Sequence, residues 1–323
     1  MNYRRQTEFR EDMMTDYRLL TFQSAQGPRA GIAVGDVYAD VAEGTGRAAD
    51  ASMLGILEDW AAAQGRLSGL ADKVTKGGVK TMPLASAHYL AAVHWPVAIY
   101  CAGANYADHV RRMAERSGLP QEPNPKEAGS TAWHFLKPAR TAVGHNEEIS
   151  TVSKSLDWEA ELAVVIGKGG KNIPLDKVYE HIAGYTCAND VSARDLSRRP
   201  KVAAGTPFSF DWIGQKCFDG SCPLGPWIVP ASQIKDPMNL AIKTFINDKL
   251  QQNSNTKEMI FNIADQVAQI SSRMTLYPGD VVLTGTPSGT GAEENKFLKA
   301  GDVMRVEIEG IGSLTNRVKS ITG

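Results

Sequence analysis

Short apolar segments separated by turn residues occupy most of the chain. Residues 17–41 predict short strands, with turns at residues 26–28 and 35–36. Further strands are predicted, several of them buried because the apolar run is continuous, at Val97–Ala102, Leu162–Ile166, Ile182–Ala188, Val281–Thr284 and Val303–Ile308. The last two each follow a Gly-Asp turn. This pattern predicts a mainly β core.

Apolar residues at helical spacing are confined to a few segments. Helices are predicted at Met53–Ala63, Asn105–Ser117 and Met259–Met274, the second with Asn105 as N-cap and Gly118 as its stop. Because regular strand–helix alternation is missing, a doubly wound parallel sheet is not expected. The sequence predicts an α+β fold that is mainly β. A change of pattern between residues 80 and 95 predicts a small N-terminal domain at 1–92 and a catalytic domain at 93–323.

Composition and charge narrow the environment and the partners. The chain has 323 residues, with 35 Lys and Arg against 36 Asp and Glu, so its net charge of −1 gives no reason to expect nucleic acid or an anionic membrane as partner. Four cysteines without a C-x-x-C spacing indicate reduced thiols and a cytoplasmic protein. The first twenty residues carry no apolar core of a secretory signal. No apolar run reaches the ~18 residues of a membrane span.

Three acidic residues stand beside the two buried strands. Glu159 and Glu161 are two apart on a strand, so both side chains project to one side, possibly with Asp157. Two carboxylates ~4 Å apart repel by roughly 4 kcal/mol at an effective dielectric of ~20, so they are solvated, share a proton or hold a cation. Asp190 ends the next apolar run and either pairs locally with Arg194 or adds a third ligand. Three carboxylates suit Mg²⁺, Mn²⁺ or Ca²⁺, and no His or Cys spacing indicates zinc.

Four ordered segments carry a resemblance to a known family. They are Asp157–Gly167, Asn189–Asp195, Lys216–Asp219 and Leu283–Gly289. In this order they resemble the fumarylacetoacetate hydrolase family, over about residues 95–321. The resemblance implies a mixed β-roll catalytic domain with a smaller N-terminal α/β domain, usually in a homodimer. It also implies Mg²⁺ or Mn²⁺ on Glu159, Glu161 and Asp190.

The resemblance assigns His109 as the base that activates water. An imidazole can accept a proton near neutral pH. Family members with a catalytic dyad often carry Glu three residues after this histidine, but this chain has Arg112 there. Glu115 lies on another side of a regular helix. The residue that completes the dyad is therefore left open.

The same resemblance extends to the substrate. Lys216 matches the active-site lysine and is expected to stabilise an oxyanion. Arg194 is expected to act in catalysis and to hold a substrate carboxylate bidentately. Thr286, with nearby backbone N–H groups, is the further candidate for carboxylate binding, and Tyr106 is a weaker one.

Together these residues predict a metal-dependent hydrolase that cleaves a C–C bond in a 2,4-dioxo acid or acylpyruvate, through an enolate stabilised by the metal. The same site could serve a 2-oxo-acid decarboxylase, a tautomerase or isomerase, or a hydratase. A non-catalytic relative of the family, or a metal hydrolase outside it, would also fit these residues. The expected partner is a small oxo acid.

Overall fold

The computed structural model describes residues 15–118, 120, 123–151, 153–203 and 205–320. The strands in these residues are β1 (Arg18–Ser24), β2 (Gly27–Val34), β3 (Val37–Asp40), β4 (Met82–Pro83), β5 (Ile99–Ala102), β6 (His134–Lys137), β7 (Ala142–Val143), β8 (Glu148–Thr151), β9 (Leu156–Asp157), β10 (Ala160–Ile166), β11 (Ile182–Asn189), β12 (Ser192–Ala193), β13 (Cys222–Pro230), β14 (Ala241–Ile246), β15 (Lys249–Asn255), β16 (Val281–Leu283), β17 (Val303–Ile308) and β18 (Gly312–Ser320). The α-helices are α1 (Val41–Thr45), α2 (Met53–Glu58), α3 (Trp60–Thr75), α4 (Ala107–Ser117), α5 (Trp212–Lys216), α6 (Ile263–Arg273) and α7 (Gly291–Glu294).

One large mixed sheet runs through the molecule. Its strand order is β4-β3-β2-β1-β13-β11-β10-β16-β5-β6, with β7 also paired to β13. The central strands β10 and β11 are buried along their whole length and pair antiparallel, with Leu162 opposite Cys187. Their continuous apolar sequences follow from this burial, because neither face of these strands meets solvent.

A second sheet, ordered β15-β14-β17-β18-β8, encloses the other side of the core. Leu162 and Val164 of the large sheet share one buried cluster with Ile242 and Val306 of the second sheet. α6 packs into the same cluster through Val267 and begins with a capping box formed by its N-cap and third residues. Mixed strands with few helices confirm the predicted mainly β, α+β class.

Two helical predictions need correction. The segment predicted as one helix over Met53–Ala63 forms α2 and the longer α3, which break at Asp59 and continue to Thr75. The prediction of Asn105 as an N-cap is wrong. Tyr106 occupies that position, while the Asn105 amide donates to the carbonyls of Phe261 and Thr284 and accepts from the Phe261 N–H.

The N-terminal residues extend the large sheet. β1 pairs antiparallel with β13, with Leu19 opposite Ile228. Helices α1 to α3 bury their apolar side chains, including Trp60 and Leu67, in a cluster that also holds Ala163 of β10. The domain division near residue 92 stays a prediction. Within the described ranges, no helix has the length and apolar character needed to cross a membrane.

Candidate active site

The antiparallel pair β10–β11 brings the three predicted carboxylates together. Ala160 lies opposite Asn189, so Glu159 and Asp190 flank the same end of the pair, and Glu161 lies opposite Ala188. All three side chains are buried. Each offers a carboxylate oxygen within 4.8 Å of the others. We call these three residues the carboxylate trio.

Two lysines are in contact with the trio. Lys216, at the end of α5, donates from Nζ to Glu159 Oε2 at 2.8 Å and to Asp190 Oδ2 at 2.6 Å. The Nζ of buried Lys137 lies 2.6 Å from Asp190 Oδ1, outside hydrogen-bond geometry, and donates to two backbone carbonyls. Burial alone would raise the pKa of Glu159, but Lys216 and Arg194 outweigh it and hold that pKa well below its usual range.

Glu161 is less well compensated than its neighbours. Burial raises the pKa of its carboxyl well above the usual value, and the charges of Asp190 and Glu159 raise it further. Its Oε2 accepts from the Gly285 N–H at 2.6 Å, and no ion-pair partner for it lies among the described residues. A divalent cation would compensate this charge and could use the Asp190 Oδ1 atom that lacks a hydrogen bond. The all-oxygen trio therefore fits Mg²⁺, Mn²⁺ or Ca²⁺.

The structure pairs His109 with a carboxylate that the sequence reasoning missed. His109 lies on α4, and its Nδ1 is 2.5 Å from Glu293 Oε1. Glu293 lies on α7, 184 residues further along the chain, and its Oε2 accepts from the Gly289 N–H at 2.7 Å. The carboxylate sought near position 112 is thus supplied by Glu293, and no local sequence signal indicated it. His109 and Glu293 together are called the His–Glu pair below.

Asp157 links the His–Glu pair to the trio. Its carboxylate accepts from the backbone N–H groups of Gly291 at 2.6 Å and Ala292 at 3.1 Å, at the start of α7. It also accepts from Arg194 Nε at 2.8 Å, and the same guanidinium donates through Nη2 to Glu159. Arg194 lines the cavity beside these residues, so its contact with a substrate carboxylate stays a prediction.

The two remaining predicted substrate contacts differ in position. Thr286 lines the cavity, and its Oγ1 accepts from Gln252 Nε2 at 2.9 Å. Gln252 is fully buried on β15 and also accepts from the Ala160 N–H, so it ties the loop after β16 to the start of β10. Tyr106 is fully buried and is not among the residues that line the cavity. Its hydroxyl has no hydrogen-bond partner among the described residues.

These groups surround one cavity of about 200 Å³. Its polar side is formed by His109, Glu159, Glu161, Arg194, Gln215, Lys216 and Thr286. Its other side is formed by the rings of Trp133, Phe135, Phe210 and Trp212, which the sequence reasoning did not place. A cation site, a possible proton-transfer pair and fixed positive charges around a small cavity define the class: an enzyme site for a small anionic substrate held by a divalent metal.

The comparisons with known proteins agree with this class. The sequence model for the C-terminal part of fumarylacetoacetate hydrolases matches residues 98–319. The chain therefore belongs to the fumarylacetoacetate hydrolase family, which confirms the resemblance of its four ordered segments.

Similar proteins carry names for several reactions of oxo acids. The mitochondrial oxaloacetate tautomerase FAHD2B of Homo sapiens is 41% identical over 73% of this chain and 71% of its own. A putative HpcE protein from Mycobacterium smegmatis has a structure with a TM-score of 0.76 at 31% identity, over 94% of this chain and 99% of its own. The maleylpyruvate hydrolase of Sphingobium sp. SYK-6, solved with manganese(II) and pyruvate, has a TM-score of 0.71 at 28% identity, over 94% and 99%. The fold prediction is thereby confirmed.

Proposed function

We propose that this protein catalyses the keto–enol tautomerisation of a small 2-oxo acid, with oxaloacetate as the first substrate to test. The observation that carries the proposal is that the carboxylate trio and the His–Glu pair face one cavity. Enolisation needs these two elements together, a polarised 2-oxo group and a base for the neighbouring carbon. The 41% identity to a protein named oxaloacetate tautomerase supports the choice of reaction.

Each side chain then has a defined task. A divalent ion on Glu159, Glu161 and Asp190 would supply a Lewis acid for the 2-oxo group. An ionised Glu293 accepts from the Nδ1–H of His109, which leaves Nε2 as the basic nitrogen. His109 then moves a proton between C3 of the substrate and solvent or the enol oxygen. The cations near the trio stabilise the negative charge that develops on the substrate oxygen.

The test follows the ultraviolet absorbance of the oxaloacetate enol after mixing. With Mg²⁺ or Mn²⁺, we expect the enzyme to accelerate the approach to keto–enol equilibrium without any change in substrate mass. Chelator, Glu161→Gln and His109→Asn should each abolish the acceleration. The proposal fails if the wild-type enzyme, with either metal, equilibrates the enol no faster than buffer.

Hydrolysis of a C–C bond in an acylpyruvate, which the sequence favours, is the second candidate. The His–Glu pair has the arrangement that activates water, and one structural relative is named maleylpyruvate hydrolase. Release of pyruvate from an acylpyruvate, measured with lactate dehydrogenase, would support this candidate over tautomerisation. Loss of carbon dioxide would instead indicate a decarboxylase, and unchanged function in Glu161→Ala would indicate a non-catalytic relative.

We also propose, as the sequence and the family resemblance imply, a cytoplasmic homodimer. Size-exclusion chromatography with light scattering tests the dimer. A mass near 34.9 kDa, that of one chain, would contradict it.

A further inference from the structure

The cavity has two chemically different halves. The half at the trio carries the charged side chains, and the opposite half consists of the rings of Trp133, Phe135, Phe210 and Trp212. We call these four residues the aromatic wall. We infer that the preferred substrate carries a planar apolar group, such as an aryl ring, beyond its 2-oxo-acid head, and that the aromatic wall binds this group. The inference rests on the proposed function, because it takes the 2-oxo acid to be held at the trio.

The wall is organised around Trp212. Its ring stacks on Phe135 at 4.8 Å between centroids with 21° between the planes. Phe210 meets it edge-on at 4.6 Å, and Trp133 lies at 5.4 Å. Trp212 is 37% exposed and Trp133 is 52% exposed. Rings in such mutual contact form a rigid surface that a further ring can join by offset or edge-to-face stacking.

Trp133 owes its position to a glycine. A Cβ atom on Gly103 would lie 1.7 Å from Cζ3 of the Trp133 ring, so any side chain at position 103 would displace that ring. The Gly103 N–H also donates to the Trp133 carbonyl at 3.1 Å. The indole is therefore seated on the backbone at the cavity, and the wall is part of the cavity rather than a chance grouping of surface rings.

Lys216 joins the two halves. Its Nζ donates to Glu159 at 2.8 Å and lies 5.1 Å from the centroid of the Phe135 ring. A substrate with its anionic oxygens near this ammonium therefore places its remaining carbons against the wall.

The charges around the cavity disfavour a second carboxylate at the wall. Among the described lining residues, Arg194 and Lys216 are the fixed cations, and both are already paired with carboxylates. Arg198 lies 5.9 Å from the Phe210 ring but is exposed and does not line the cavity. An uncharged aryl group therefore suits this half better than a distal carboxylate does.

The experiment compares the enolisation of phenylpyruvate and oxaloacetate with Mn²⁺. We expect a higher kcat/KM for phenylpyruvate in the wild-type enzyme. Trp212→Ala and Trp133→Leu should each lower the ratio of the two kcat/KM values by roughly 10- to 100-fold, because they remove ring contacts made by one substrate. Trp95→Ala is the matched control, since Trp95 is also 52% exposed but lies outside the cavity, and its ratio should equal that of the wild type.

Binding separates this inference from the proposed function. If neither compound is enolised, the proposed reaction is wrong, and calorimetric titration of phenylpyruvate into the Mn²⁺-loaded protein tests the wall alone. We expect Trp133→Leu, at a half-exposed position that tolerates replacement, to weaken the Kd about tenfold. The inference is overturned by a wild-type preference for oxaloacetate, by equal losses for both substrates, or by an unchanged Kd.

Discussion

Replacing Glu293 by glutamine tests the His–Glu pair with little change in shape. In the native protein, one carboxylate oxygen of Glu293 receives His109 Nδ1 at 2.5 Å and the other receives the Gly289 N–H at 2.7 Å. Glutamine has only one oxygen for these two donors and carries no charge. The variant therefore loses the charge-assisted contact that orients the imidazole and stabilises it when it is protonated.

The size of the effect follows from the contact that is lost. Glu293 is buried and His109 is 14% exposed at its side chain, so the contact is only weakly screened. A hydrogen bond to a charged group contributes about 1.5 to 3 kcal/mol. At 1.36 kcal/mol per tenfold change, kcat should fall by roughly 10- to 150-fold. The enol assay measures this fall, and manganese affinity should stay within about threefold because Glu293 lies outside the trio.

Glu294 provides the matched control. It is the next residue on α7, is exposed, and pairs with Lys296 rather than with the site. Glu294→Gln should keep a kcat close to that of the wild type. If Glu293→Gln and Glu294→Gln have the same kcat, the role assigned to the His–Glu pair is refuted.

Three further predictions concern stability. Asp157→Asn should cost about 3 kcal/mol of unfolding free energy in urea, because buried Arg194 loses a charged partner; a loss below about 1 kcal/mol would argue against that role. Lys137→Met should cost about 3 to 5 kcal/mol by leaving Asp190 with one fewer cation, and Mn²⁺ should restore part of it. An unchanged melting temperature would contradict this. Burial raises the pKa of Asp280 from 3.8 to about 6, so its proton stays bound in the fold while the unfolded chain loses it. Stability should decline from about pH 4 to 6, and Asp280→Asn should flatten this decline.

The sequence predicted those parts of the site that lie close together along the chain. Glu159 and Glu161 precede and enter one buried strand, and Asp190 follows the strand paired with it, so local pattern was enough to group them. The strands themselves were predictable because a continuous apolar run has few other ways to avoid solvent.

The parts that failed depend on long-range contacts. Glu293 lies on a helix of four residues, too short to show periodicity, and meets His109 only through the tertiary fold. Asn105 has the local character of an N-cap, but its amide is taken by Phe261 and Thr284, more than 150 residues away. The aromatic wall likewise joins residues from separate loops and elements, whose proximity no local pattern specifies.

The most direct test of the account is a Mn²⁺ titration followed by electron paramagnetic resonance, with oxalate added as a mimic of the enolised 2-oxo acid. We predict one tight site per chain whose spectrum changes when oxalate binds. Glu161→Gln should weaken Mn²⁺ affinity by at least about 10- to 100-fold. Glu148→Gln, which removes an exposed acid paired with Lys319, should match the wild type. Wild-type manganese affinity in Glu161→Gln, or a spectrum that oxalate does not alter, would contradict the account.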